Sequence, residues 1–447
     1  MNYEELIIKY PKFIYNDYSV VDEDEKIVIT YDFEIEGLAS FLPRIEILKK
    51  DFKLNDITSS AARNIIFNLG MVEAISYFKA TCSPHFCIEC GNLDDYQKAW
   101  YRKLFYLGLG EFRYRNNINV AEEDFVQFYS EGDKIESDAE LIKLDGIIVP
   151  VGGGKDSNVT LDLLGDYKEK VFPYRIGMNE VASECIKAAG YSDDKVIEIV
   201  RTIDKNLIEL NSQGFLNGHT PFSAIVAFTA YLSAYLMGKK YIALSNEDSA
   251  NESNVDGVNI NHQYSKTIEF ENDFREFTDK YFGVGIEYFS FLRPITELQI
   301  AMLFSKLDKY HKIFKSCNVG SKQKPWVWCC NCPKCLFVYS ILSPFLYKDR
   351  LVEIFGEDMF ENENLLSTFI ELCGYGDVKP FECVGTYEEI KWALTKTIEN
   401  MGDSKLPYLL EYYKNNFEMY HAELLEFYNE KNNLPKEFDE ILRKNIF

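Results

Sequence analysis

The sequence lacks the features that place a chain in a membrane or direct it out of the cell. It contains no run of about 20 apolar residues, the length that a membrane-spanning helix needs. Its first residues, M-N-Y-E-E, are acidic and do not lead into the apolar core of a secretion signal. Fixed-period repeats and low-complexity segments are also missing. We therefore expect a cytoplasmic protein with no membrane partner.

Positive charge is scarce as well. The chain has 48 lysines and arginines against 71 aspartates and glutamates, a net charge of −23. Nucleic acids are bound chiefly by neutralising their phosphates with lysine and arginine, so the balance argues against a nucleic-acid partner. Eleven cysteines without an export signal favour free thiols or a metal site over a disulfide framework. The 447 residues suffice for two or three domains, and the oligomeric state is left open.

A glycine-rich turn follows an apolar run near the middle of the chain. The run Ile147 to Val151 leads into Gly152, Gly153 and Gly154, and the next residues, K-D-S-N-V-T-L-D-L-L, have a helical pattern. Glycines let a backbone approach an anion closely, and the N-terminus of a helix directs unpaired N–H groups at it. Neither the Walker A spacing nor G-x-G-x-x-G is present. The stretch predicts a nucleotide-phosphate site, and a tight strand-to-helix corner is the plainer alternative.

The pattern of apolar residues divides the chain into three regions. Residues 1–140 are predicted to be an α+β domain, ending in an acidic linker from Glu122 to Glu140. Residues 141–346 alternate strands with helices, which predicts a parallel α/β sheet with right-handed crossovers. Residues 347–447 have only helical segments and are predicted to form a helical C-terminal domain. The predicted elements are strands at 26–35, 44–48, 147–151, 171–176, 196–200, 241–244 and 288–292, and helices at 57–79, 94–107, 387–400 and 406–416.

Parallel sheets bind ligands at the carboxyl ends of their strands. The glycine turn falls on that edge, and so do the segment ending in Arg175 and Asn179 and the polar loop S-N-E-D-S-A-N-E-S-N from Ser245. Arg293 follows another strand end, where its guanidinium could hold a carboxylate or phosphate or could form a surface ion pair. His219, in a glycine-flanked loop, is either a ligand-edge acid/base or a cap for the next helix.

Cysteines cluster twice. Cys317, Cys329, Cys332 and Cys335 have the spacing of a tetrahedral zinc site, and we expect a closed structural site rather than a redox Cys-x-x-Cys. Cys330 is surplus, and its side chain should point away. Cys82, His85, Cys87 and Cys90 could also bind metal, but the intervening apolar residues favour a buried strand with free thiols.

The glycine turn resembles the PP-loop of the ATP pyrophosphatases, usually S-G-G-x-D-S, with Gly152 where that family commonly has serine. Together with C-x11-C-x2-C-x2-C it resembles the 7-cyano-7-deazaguanine synthases, which are much shorter. A resemblance over nearly the whole chain is to the UDP-N-acetyl-α-D-muramoyl-L-alanyl-L-glutamate epimerases, although Cys330 stands where that family is expected to have glycine. The strings that carry it are G-L-G-E-F (108–112), P-V-G-G-G-K-D-S (150–157), F-P-Y-R-I-G-M-N (172–179), N-G-H-T-P-F-S-A-I (217–225), S-N-E-D-S-A-N (245–251), L-R-P-I-T-E-L-Q-I-A (292–301) and C-P-K-C-L-F-V (332–338).

This resemblance implies a PP-loop fold and an ATP-dependent epimerase of peptidoglycan synthesis, acting on a nucleotide-sugar peptide with Mg²⁺. It implies that the glycines and Ser157 cradle pyrophosphate, that Lys155 supplies a cation, and that Asp156 contacts Mg²⁺ or positions ATP. Arg175 and Asn179 would lie near the adenine. His219 is the first choice for the acid/base, Glu247 and Asp248 the second, and Lys266 and His262 are weaker.

Two other classes compete with the epimerase. A PP-loop ligase or thiolase acting on a base, tRNA or small acid would use the same loop, but a tRNA enzyme should show a basic face. A non-enzymatic relative could use the zinc site as a partner platform, but an intact Lys155-Asp156-Ser157 argues against that class.

Overall fold

The computed structural model describes residues 1–50, 52–133, 135, 142–252, 261, 263–376 and 379–447. Eleven strands form a single mixed sheet. They are β1 (Lys12–Asp22), β2 (Lys26–Ile35), β3 (Ala39–Phe41), β4 (Arg44–Leu48), β5 (His85–Ile88), β6 (Gln127–Ser130), β7 (Ile147–Pro150), β8 (Val171–Ile176), β9 (Ile197–Thr202), β10 (Tyr241–Leu244) and β11 (Glu287–Ser290).

Nineteen α-helices of the described residues surround the sheet. They are α1 (Tyr3–Lys9), α2 (Ser60–Glu73), α3 (Ile75–Phe78), α4 (Asp95–Gly108), α5 (Gly110–Arg115), α6 (Glu122–Phe125), α7 (Lys155–Leu163), α8 (Glu180–Ala188), α9 (Lys205–Ser212), α10 (Phe222–Leu236), α11 (Ile268–Tyr281), α12 (Glu297–Ser305), α13 (Asp308–His311), α14 (Pro333–Leu342), α15 (Lys348–Phe355), α16 (Leu366–Leu372), α17 (Tyr387–Met401), α18 (Tyr408–Asn416) and α19 (Lys436–Ile446). None of the described helices is both long and apolar enough to cross a membrane.

The parallel half of the sheet has the order β11-β10-β7-β8-β9, and all four pairings within it are parallel. The strand order reverses at β7, whose neighbours are β8 on one side and β10 on the other. In open α/β sheets, ligands bind beyond the carboxyl ends of the strands at such a switch point. The predicted strands of this half are confirmed to within about two residues, the usual scatter of element ends.

The remaining strands continue the same sheet in the order β9-β4-β2-β1-β5-β6, with β3 paired to β2. The predicted strands β2 and β4 and the helices near 57–79 and 94–107 are confirmed. Strand β1, eleven residues long, was not predicted from the sequence. The Cys82–Cys90 segment contains β5, as predicted, with Cys82 buried and Cys87 and Cys90 only partly so, all three as free thiols.

The acidic segment from Glu122 was wrongly interpreted as a linker in its first part, because it contains α6 and the edge strand β6. Its apolar residues explain this, since Phe125 and Phe128 are buried in the core. The later part of the segment, residues 134 and 136–141, lies outside the described residues. Residues 347–447 are helical wherever the structure describes them, with the predicted helices present as α17 and α18. The three-domain division stays a prediction.

Candidate active site

The glycine turn joins β7 to α7 at the switch point of the sheet. Gly153 has φ of +89°, and a Cβ there would lie 2.8 Å from Val181 Cγ1 and 3.0 Å from the backbone nitrogen of Ala182. Only glycine fits this corner without strain. Gly154 is the N-cap of α7 and provides no side-chain cap. The first N–H groups of the helix are therefore directed toward the carboxyl edge of the sheet, where an anion is favoured.

A cleft of about 300 Å³ opens in front of this loop, at the carboxyl ends of β7, β8 and β10. The sequence-predicted residues that line it are Gly152, Gly154, Asp156, Ser157, Arg175 and Asn179, together with Ser245 from the predicted ligand edge and Lys266, a weaker acid/base candidate. The structure thus brings together the elements that the sequence placed on one edge. Four of the lining side chains, those of Arg175, Asn179, Asn246 and Lys266, are cationic or amide groups, which suits a phosphate ligand.

Two of the lining residues also have structural contacts. The Arg175 guanidinium forms an ion pair with Glu198 at 2.9 Å, and it remains partly exposed to the cleft. The Asn179 side chain accepts a hydrogen bond from the N–H of Ala182, so that it caps α8, and it donates to the carbonyl of Gly152 at 3.0 Å. Asn179 therefore fixes the glycine loop to α8.

Lys155 does not project into the cleft as its predicted role requires. Its side chain is 2% exposed and forms ion pairs with Asp156, which lines the cleft, and with Glu297 from α12. This ammonium group, held by two carboxylates, is not among the groups that line the cleft. It instead balances the charge of Asp156 and links α7 to α12.

The charged groups around Lys155 strongly shift one another's pKa values. Burial alone would lower the pKa of Lys155, but the charges of Asp156 and Glu297 raise it well above its ordinary value. Burial raises the pKa of Glu297 to about 8, although Lys155 opposes that rise. Such clusters of perturbed groups beside a cleft are typical of functional sites.

Glu247 and Asp248 follow β10 and lie close to this cluster. Glu247 is 6% exposed, and its charge acts on Lys155, Glu297 and Lys266. Asp248 accepts a hydrogen bond from the Asn429 side chain at 2.6 Å, and burial raises its pKa. Glu247 therefore faces the charged cluster, while Asp248 contacts the C-terminal segment.

Arg293, for which a catalytic role was predicted, is not among the residues that line the cleft. It is fully buried and donates to the backbone carbonyls of Glu247, at 2.7 Å, and of Lys266. Its guanidinium also pairs with the buried Glu271 at 3.3 Å. Arg293 thus holds in place two loops that carry site residues. The competing interpretation, an ion pair, is closer to the structure, but the pair is internal.

His219 is not among the residues that line the cleft. Its Nδ1 lies 3.8 Å from Glu111 Oε2, and Glu111 in turn accepts a hydrogen bond from Arg115 at 2.6 Å. The N-cap residue of the helix that follows, Pro221, provides no side-chain cap. His262, one of the weaker candidates, lies outside the described residues.

The four predicted cysteines converge. Their sulfur atoms all lie within 4.8 Å of one another, with separations of 3.5 Å between Cys332 and Cys335 and 3.8 Å between Cys317 and Cys332. Zinc–sulfur bonds of about 2.3 Å in a tetrahedron place sulfurs about 3.8 Å apart, so the arrangement fits zinc. Cys330 points away as expected, its thiol donating to the carbonyl of Phe355 at 3.1 Å.

Sequence reasoning missed two residues that connect the cysteine cluster to the cleft, Lys334 and Cys383. Lys334, between two of the cysteines, reaches the backbone carbonyl of Cys383, and the thiol of Cys383 accepts a hydrogen bond from Lys266 at 3.2 Å. Glu297 was missed as well, although it lies in the string L-R-P-I-T-E-L-Q-I-A. Cys383 stands alone in its segment, and its sequence neighbours give no signal of a site.

The fold and site together define an α/β protein with a glycine-loop cleft at the switch point of its sheet and a four-thiol metal-type cluster beside it. Two family models match the chain: the MurL N-terminal domain over residues 6–291 and the MurL C-terminal domain over residues 313–422. Curated relatives are named UDP-N-acetyl-α-D-muramoyl-L-alanyl-L-glutamate epimerase. One from Xanthomonas oryzae is 33% identical over 77% of this chain and 76% of its own length.

Two further relatives have the same name. That from a Micromonospora species is 33% identical over 77% of both chains, and that from Salinispora tropica is 34% identical over 75% of this chain and 73% of its own. The chain belongs to the family of UDP-N-acetyl-α-D-muramoyl-L-alanyl-L-glutamate epimerases, and it is therefore an isomerase.

Proposed function

We propose that this protein inverts the terminal L-glutamate of UDP-N-acetylmuramoyl-L-alanyl-L-glutamate in peptidoglycan synthesis, and that it consumes ATP to do so. Membership of the epimerase family supports the substrate. The observation that carries the use of ATP is the glycine loop at the switch point, with α7 beginning at the edge of the cleft.

The chemistry explains why an epimerase would need a nucleotide. The α-proton of a free carboxylate is very weakly acidic, because its removal would leave a dianion. Transfer of AMP to that carboxylate removes the negative charge and makes the carbonyl an electron acceptor. The proton can then leave from one face and return on the other, and hydrolysis of the anhydride releases the D-glutamyl epimer and AMP. Pyrophosphate is the other product of the first step.

The residues of the cleft suit these tasks. The N–H groups at the start of α7 and the Ser157 hydroxyl would bind the pyrophosphate portion of ATP. Asp156 is the carboxylate that reaches the cleft and would hold Mg²⁺ together with phosphate oxygens, since Mg²⁺ prefers oxygen ligands. When bound, the metal neutralises charge on the phosphates as the bond to AMP forms. Lys155 keeps Asp156 ionised and in place.

Inversion needs a proton acceptor and a proton donor on opposite faces of the α-carbon. We assign one of these roles to His219, whose ring is oriented by Glu111. An imidazole paired with a carboxylate can exchange a proton near neutral pH. The four-cysteine cluster would hold a structural zinc ion, which would fix the N-terminus of α14 and with it Lys334.

The test is direct. The purified protein is incubated with Mg²⁺, ATP and UDP-N-acetylmuramoyl-L-Ala-L-Glu, AMP is measured, and the configuration of the glutamate is determined after hydrolysis. We expect AMP and the D-epimer to appear together. A parallel reaction without ATP should leave the substrate unchanged. Inversion without nucleotide, or AMP formation without inversion, would contradict the proposal.

A further inference from the structure

Cys383 lies between residues that line two separate openings in the surface. On one side, its thiol accepts a hydrogen bond from Lys266, which lines the glycine-loop cleft. On the other side, the residues directly before it, including Phe381 and Glu382, line a separate groove of about 640 Å³. Arg115 and Tyr114 of α5 form the opposite wall of that groove.

The reacting α-carbon of the proposed substrate would lie near this position. With the carboxyl group held as an adenylate in the cleft, the rest of the peptide and its nucleotide-sugar need a second space. The groove supplies that space, so the α-carbon would fall between the two openings. The cleft alone, at about 300 Å³, is small for both the nucleotide and so long a substrate.

The surroundings of Cys383 suit proton transfer. The ammonium group of Lys266 lies 3.2 Å from its sulfur, and that of Lys334 reaches its carbonyl oxygen. A cysteine can act as a general acid or base when it lies within reach of the proton that it transfers. The thiol is partly exposed, unlike the buried Cys373.

His219 also lies near the segment that contains Cys383. Glu111, which contacts His219, lies near Glu382, and its charge adds to the effect of burial in raising the pKa of Glu382. His219 and Cys383 therefore lie near the same region of the protein. They come from distant parts of the chain, His219 from the loop before α10 and Cys383 from the C-terminal part.

We propose that Cys383 is a catalytic residue that exchanges the α-proton of the glutamyl adenylate on the face opposite His219. The inference rests on the proposed function. In the forward or the reverse direction, the thiolate takes the proton, the C–H bond breaks, and its electron pair moves into the activated carbonyl to form an enolate. A proton from the group on the other face then forms the new C–H bond. No oxidant or reductant is needed.

The test separates adenylation from proton transfer. Cys383→Ala should keep substrate-dependent exchange of pyrophosphate with ATP, which reports adenylation, and should lose epimerisation by about 100-fold or more, the usual contribution of a general acid or base. Cys87→Ala, which removes another partly exposed thiol on β5, is the matched control and should behave as wild type. A Cys383→Ala protein that epimerises within about threefold of wild type would overturn the proposal.

Isotope exchange assigns the face. In D₂O, wild type should place deuterium at the α-carbon, starting from either epimer. Cys383→Ala and His219→Asn should each reduce deuterium uptake more strongly when the reaction starts from one epimer than from the other. The more strongly affected epimer should differ between the two variants. If Cys383→Ala does not fold, alkylation of the wild-type protein decides: substrate with ATP should slow the modification of Cys383 but not that of Cys87, and equal rates would refute the assignment. A wild-type protein that shows no pyrophosphate exchange refutes the ATP-dependent function instead.

Discussion

Lys155 and Glu297, 142 residues apart in the chain, form an ion pair in which each side chain is 2% exposed. The pair joins the first turn of α7, next to the glycine loop, to the first turn of α12. Removing one partner of a buried pair leaves the other charge without compensation, which costs about 3–5 kcal/mol. The pair therefore couples the position of the loop to the stability of the protein.

At pH 9, above the raised pKa of Glu297, Glu297→Gln should lower the free energy of unfolding by about 3 kcal/mol, because Lys155 would keep only Asp156 as a partner. Urea denaturation measures the change. Glu287→Gln is the matched control: its carboxylate pairs with Lys240 at 3.5 Å on the surface, and its loss should cost at most about 1 kcal/mol. Equal losses in the two variants would show that the buried pair has no special weight.

The metal prediction concerns the cysteine cluster. The purified protein should contain one zinc ion per chain, measured by elemental analysis, and a strong chelator should lower its melting temperature. Cys335→Ser should lose the metal, whereas Cys330→Ser should keep it, since that thiol contacts only backbone carbonyls. Full zinc content in Cys335→Ser would rule out the four-cysteine assignment.

Neighbouring glycines of the loop should differ sharply in their tolerance of a methyl group. Gly153→Ala introduces a Cβ in contact with Val181 and strains a φ of +89°, and we expect a loss of about 1–3 kcal/mol. In Gly152→Ala the added Cβ has no atom within 4 Å, so the free energy of unfolding should lie within about 0.5 kcal/mol of the wild-type value. Thermal unfolding of the two variants tests the contrast, and similar melting temperatures would contradict it.

The lowered pKa of Lys79 should make the stability of the protein depend on pH. Burial lowers its pKa from 10.5 to about 8, while its ammonium donates to the side chain of Asn217 and the carbonyl of Gly218 in the loop before His219. Between pH 8 and 10.5 the unfolded chain binds more protons at this residue than the folded one, so this contribution makes stability rise with pH.

The comparison is with Lys79→Met, which cannot titrate there. From pH 7 to pH 9.5, the free energy of unfolding of wild type should rise relative to that of the variant by about 2 kcal/mol. Subtracting the variant cancels the titration of all other groups. A constant difference across this range would mean that Lys79 keeps its ordinary pKa in the folded protein.

Local patterns predicted most of the elements, but not the strand β1. Its pairing with β2 shifts register between Tyr15 and Asp17, where a bulge interrupts the alternation of buried and exposed residues. Three buried residues in succession, Phe13 to Tyr15, also depart from period two. A strand of this kind is recognisable only when its partner in the sheet is known.

The site was predictable where it depends on one segment and not where it depends on distant ones. The glycine loop and the four cysteines are compact in sequence, so their spacing indicated their geometry. The burial of Lys155 depends on Glu297, and that of Arg293 on Glu271 and on two backbone carbonyls from other loops. No local rule brings such partners together, and a cation that could have bound a phosphate is instead enclosed.

The antiparallel pairing of β4 with β9 has a practical consequence for dissecting the protein. Four residue pairs, from Arg44 with Thr202 to Ile47 with Ile199, join the first strands of the chain to the parallel half of the sheet. Expressing residues 1–140 alone would strip β4 of that neighbour and leave a row of open backbone groups, the kind of edge at which chains stick to one another. A polypeptide truncated there should precipitate, and crystallographers and enzymologists will need the intact chain.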